Sequence, residues 1–74
     1  MAGSLQRLIG QRIKAHRKAA NLSQTKLGEL VNYSDESISA FERGERSPTL
    51  YAAFSMADAL DCTVEDFRPQ PFEY

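Results

Sequence analysis

Short apolar periods alternate along the chain with clusters of capping residues, and the spacing inside each period is helical. Leu5, Ile9 and Ile13, with His16 next on the same line, recur at intervals of four and three, which predicts a first helix over about residues 4–20. Arg17 and Lys18 fall in its last turn, where cations suit the negative end of the helix dipole, and Asn21 tolerates the left-handed conformation that ends a helix. Ser23 offers an N-cap to a second helix, about residues 24–31, with Leu27 and Val31 inward. Gly28 inside it implies a closely approaching neighbour, because glycine costs about 1 kcal/mol relative to alanine in a helix interior. Only Asn32 and Tyr33 separate this segment from Ser34, the cap of a third helix over about 35–43, in which Ile38 and Phe41 point inward and Gly44 ends the run.

A fourth helix, about 49–60, follows Ser47 and Pro48, with Ser47 or Thr49 as its cap. Leu50, Ala53, Phe54, Met56, Ala57 and Leu60 predict a broad buried side and make this the expected main core helix. Thr63, three residues before Asp66, resembles a capping box that opens a fifth turn over about 64–67, with Val64 and Phe67 buried. Prolines 69 and 71 break any further period, so residues 1–68 are expected to form one domain and residues 69–74 an extended tail. No stretch shows the alternation of a half-buried strand. The expected fold class is therefore all-α, a compact bundle of four to five short helices.

Composition narrows the function classes. With 74 residues the chain builds one small core and leaves little material for a deep catalytic cleft. A single cysteine, Cys62, forms no internal disulfide, and neither a bilayer-spanning apolar run nor a secretory signal is present, so the cytoplasm is the expected compartment and no membrane is expected as a partner. The lone His16 has no second histidine or cysteine beside it to make a metal site, and no nucleophile elbow or glycine-rich phosphate loop occurs. Neither enzyme, cofactor nor metal is expected. The formal net charge of −1 hides a strong asymmetry: residues 1–28 carry six cations and no acid, whereas residues 29–74 carry three arginines against ten acids. That imbalance directs attention to a polyanion-binding face.

Two short helices meeting at a tight corner inside such a bundle form a helix-turn-helix. The run from Leu22 to Leu50 resembles the XRE-type helix-turn-helix of phage Cro proteins and repressors. Its landmarks are Leu22-Ser23-Gln24, the spacing to Ser34 and Ile38, the run Phe41-Glu42-Arg43-Gly44, then Pro48, Leu50, Ala57 and Leu60 before Val64, and the likeness extends from about Ile9 to Phe67. It implies a lambda-repressor-like fold and double-stranded DNA as partner, bound by a homodimer with the helix after the turn in the major groove.

Carried over position by position, phosphate contacts fall on Ser23, Gln24, Arg43 and Arg46, and a salt bridge tying the first helix to the third falls on Arg17 and Glu42. Base-facing positions fall on Ser34, Asp35, Glu36, Ser39 and Ala40, and here the sequence departs from the resemblance. Relatives place hydrogen-bond donors at these sites, whereas two carboxylates and a methyl group donate nothing. The acids have two readings: they accept from cytosine N4 in the groove, or they only complement the dipole at a helix start. Lys26 stands where relatives have an acid that completes a capping box. The acidic third helix also leaves a second function open, the same fold used as a module that binds a protein partner. Leu30 and Tyr51 are expected to be exposed, and the face near the fourth helix, the fifth turn and the tail is the expected dimer surface.

Overall fold

Helix boundaries follow the caps. The computed structural model describes residues 2–69, with side chains from Leu5 onward. Helix α1 spans Ala2–Ala19, α2 Gln24–Val31, α3 Asp35–Arg43 and α4 Leu50–Ala59, and a 3₁₀ turn, Val64–Phe67, closes the order. No strand occurs among the described residues. Ser23 accepts a hydrogen bond from the Lys26 N–H, Ser34 from Ser37 and Thr49 from Ala52, each filling one of the free donors at a helix start. Of the two candidates before α4, the cap is thus Thr49. At the other ends, Asn21, Asn32 and Gly44 have left-handed backbones with φ of 60°, 63° and 75°. In the closing turn, the Asp66 carboxylate accepts from the Thr63 N–H at 2.9 Å, the reciprocal half of a capping box. Replacing Thr49 by alanine is expected to cost about 1 kcal/mol, a fall of roughly 4–8 °C in melting temperature for a domain of this size; circular dichroism melts check it.

The core collects Ile13 from α1, Leu27 and Val31 from α2, Ile38 and Phe41 from α3, Ala52, Met56 and Ala57 from α4, then Leu60 and Phe67. Helix α3 lies between α1 and α2, and α4 packs on α2, so α3 is gripped from two sides. Two glycines set the distances. A Cβ on Gly28 would lie 2.3 Å from the Tyr33 carbonyl oxygen, which is the close approach its place in the helix implies. A Cβ on Gly10 would lie 2.3 Å from the Phe41 oxygen, so α1 crosses the end of α3 backbone against side-chain-free surface.

Helix α4 corrects the sequence expectation. Its buried side is Ala52, Met56 and Ala57, while Leu50, Tyr51 and Phe54 are 71%, 70% and 55% exposed. Nearly every residue from 50 to 54 is apolar, so the pattern carries no polar contrast to say which side turns inward. Leu30 is also exposed, as is Leu5 in part. Pro69, the first residue of the expected tail, is fully buried and lines an apolar cavity of about 290 Å³ with Leu5, Ile9, Pro48, Val64 and Phe67. The remainder of the expected tail, residues 70–74, lies outside the described residues.

Candidate nucleic-acid interface

A buried ion pair ties α1 to the last turn of α3. Arg17 Nε donates to Glu42 Oε2 at 2.6 Å and Nη2 to Oε1 at 3.1 Å, a two-pronged contact whose side chains are 8% and 2% exposed. Arg17 Nη1 also donates to the Leu22 carbonyl at 2.8 Å, and Gln24 Nε2 donates to Glu42 Oε1 at 3.0 Å. One carboxylate near the end of α3 thereby fixes α1, the loop after it and the first residue of α2. Two charges leave water together and each finds fork-shaped partners, the geometry in which a buried pair is tolerated.

Gln24 lies on the candidate phosphate path yet is turned to Glu42 through one amide hydrogen, which leaves the second hydrogen free. Ser23 is exposed, its hydroxyl oxygen occupied as the α2 cap. The N–H groups of this first turn, with the positive end of the dipole and no acid among its residues, offer donors to an anion. Lys26 sits in the same turn, its ammonium 3.8 Å from the exposed Glu29 carboxylate.

The start of α3 projects from the corner. Ser34 caps it, and its hydroxyl meets the Ser37 hydroxyl at 3.1 Å. Asp35 and Glu36 are exposed in the first turn. Ser39 is half-buried and its hydroxyl accepts from Arg43 Nη1. The fifth position, Ala40, is only 7% exposed. Arg46 Nη1 reaches back to the Ser37 hydroxyl at 3.0 Å, and its guanidinium stacks 5.3 Å from the centre of the Phe41 ring. Ser37, Ala40 and Phe41 share one helix face, and the Arg46 side chain meets the first and last of them. Of the five candidate base-facing residues, Ser34, Asp35 and Glu36 are thus exposed and Ser39 partly so.

Both arginines assigned to phosphate are engaged with the protein. Arg43 Nε and Nη2 meet the two carboxylate oxygens of Glu45, each at 2.9 Å, across the left-handed Gly44. The hydrogen bond from Arg43, and then its charge, hold the Glu45 carboxyl below its ordinary range; the same contact raises the guanidinium. Gln6, which the sequence pattern passed over as a polar residue of α1, fastens this loop from the other side: its Nε2 donates to the Gly44 carbonyl at 2.6 Å, and its Oε1 accepts from Ser47 at 2.8 Å.

His16 packs edge-on to Phe67 with ring centres 5.9 Å apart. Cys62 is half-buried against the core, and burial, then the nearby Asp66 and Asp61, push its thiol up, away from a reactive thiolate. Among the described residues no group of three or more His, Cys, Asp or Glu could hold a metal ion, and no helix is long and apolar enough to cross a membrane.

The family model of helix-turn-helix proteins matches residues 13–67. Repressor protein C2 of Salmonella phage P22 is 37% identical over 58 residues, 78% of this chain and 27% of the phage protein. The HTH-type transcriptional regulator DicA of Escherichia coli K12 is 33% identical over 70 residues, 85% of this chain and 52% of that protein. The chain thus spans about a quarter to a half of the length of these two relatives. Among solved structures, the restriction-modification controller protein C.AhdI from Aeromonas hydrophila superposes with a TM-score of 0.80 at 31% identity, over 84% of this chain and 94% of that one.

Proposed function

Because the chain belongs to the XRE-type helix-turn-helix family, we propose that it binds double-stranded DNA as a sequence-selective transcriptional regulator of the repressor or controller kind, with α3 in the major groove. The observation that carries the reading is the exposed start of α3, set forward by the Arg17–Glu42 bridge, with Arg43 and Arg46 behind its other end. A helix presented in this way enters a groove about 12 Å wide, while flanking cations and the start of α2 meet the two phosphate walls. The names of the relatives, a repressor protein, a transcriptional regulator and a restriction-modification controller, support the same reading.

Titration of the full chain into labelled random duplex tests it by fluorescence anisotropy. Binding is expected at low salt, with log K falling linearly as log salt rises. Arg46→Gln is expected to weaken binding about equally on all sequences and to reduce the salt slope by about 1. Absence of binding at tens of micromolar would sink the reading and leave the fold as a module for a protein partner.

The active form we propose is a homodimer, since one copy offers few contacts and paired half-sites lie about 34–36 Å apart. The exposed Leu50, Tyr51 and Phe54 give α4 an apolar face suited to a second copy. Sedimentation equilibrium at tens of micromolar should show dimer, and Phe54→Asp should shift it to monomer; a monomer in the unchanged chain refutes this surface for the free protein.

A further inference from the structure

Beside the reading helix runs an open groove of about 420 Å³ between α1 and the end of α3, lined by Arg7, Gln11, Lys14, Glu42, Arg43 and Glu45. Arg7, Gln11 and Lys14 stand at intervals of four and three along α1, so they form one stripe facing Arg43. Glu42 is already neutralised by Arg17. That leaves three cations around one further carboxylate, Glu45, which sits on Arg43 with both oxygens.

Resting on the DNA-binding reading, we propose that this groove is a binding site for a backbone phosphate of the duplex and that Glu45 fills it when no DNA is bound, as an internal substitute for the phosphate. A carboxylate presents two oxygens to a guanidinium in the same fork geometry as a phosphate, so the two ligands compete for the same N–H donors of Arg43. The contact has little to do for the fold. Its side chains are 54% and 61% exposed, and exposed pairs of this sort contribute about 0–1 kcal/mol. Glu45 acts instead on binding: Arg43 must give up one anion to take another, and the displaced carboxylate is left near the phosphate wall. The result is a uniform lowering of affinity for every duplex, with sequence preference untouched. Arg7 and Lys14, which form no ion pair among the described residues, hold the groove cationic while Glu45 is in it.

Random and selected duplexes titrated with the full-length chain at low salt test the proposal. Glu45→Gln is expected to tighten binding about three- to tenfold on both duplexes, the range of one exposed charge pair plus the repulsion removed. In an Arg43→Gln background the gain from Glu45→Gln should vanish, and Lys14→Gln alone should weaken both duplexes and flatten the salt slope. A gain that persists undiminished without Arg43, or no gain at all in a chain that binds DNA, overturns the proposal while the DNA reading stands. If no variant binds any duplex, the DNA reading itself has failed and the proposal with it.

Discussion

Glu42→Ala is expected to destabilise the domain by about 3–5 kcal/mol, because it strips the partner from a buried arginine. Arg17 would keep its hydrogen bond to the Leu22 carbonyl, but its Nε and Nη2 would face the cavity left by the carboxylate with no acceptor. Gln24 would lose its acceptor as well. A chain of this length is held by roughly 4–11 kcal/mol in total, so the variant should stand at the edge of unfolding. Urea denaturation at neutral pH measures it, with a fall in midpoint at unchanged slope. The paired change Arg17→Met with Glu42→Leu supplies the contrast: replacing both charges by apolar groups of similar volume should recover most of the loss, since burial of the charges opposes their attraction. A loss below about 1 kcal/mol for Glu42→Ala would show that the bridge behaves as a surface pair and does not hold α3 in place.

What could be seen in the sequence divides along physical lines. Each helix end was legible because a local rule governs it: Ser23 and Ser34 accept from an N–H three residues on, and Gly44 takes a φ of 75° that other residues avoid. Gly28 was legible for a related reason, since a residue that weakens a helix needs a packing neighbour to justify it. The orientation of α4 was not, because Leu50, Tyr51, Ala52, Ala53 and Phe54 offer no polar position to mark the solvent side. At the candidate interface, residue identities were legible through the family likeness, while their pairings were not. The segment Glu42-Arg43-Gly44-Glu45-Arg46 alternates acid and base, and nothing in the order says that Glu42 turns inward to Arg17, that Glu45 doubles back to Arg43, or that Arg46 lies over Phe41 and reaches Ser37. Those choices depend on the turn at Gly44 and on the α1 crossing made at Gly10.

Glu36→Gln is expected to change which base pair is preferred beneath the start of α3, by about 1–3 kcal/mol between the best and the replaced base, roughly five- to 150-fold in relative affinity. The reason is the one-sided chemistry of the site. A carboxylate accepts hydrogen bonds and donates none, so in the major groove it fits the exocyclic amine of cytosine and is repelled by the N7 and O6 acceptors of guanine. An amide both donates and accepts, and it can hold adenine through N6 and N7 together. Selection from random duplexes, run in parallel for the two proteins, should therefore show cytosine giving way to adenine at one position of each half-site. Overall affinity should also rise, since one carboxylate no longer approaches the phosphate wall. If affinity rises equally on all sequences and the selected site is the same, Glu36 repels the backbone and reads nothing. Asp35 separates the remaining possibility, that these acids serve the helix alone: Asp35→Asn should cost the fold only about 0.3–1 kcal/mol through the helix dipole. A change of base preference at that position cannot come from so small a loss of stability, and its occurrence would place both exposed acids of the first turn in the groove.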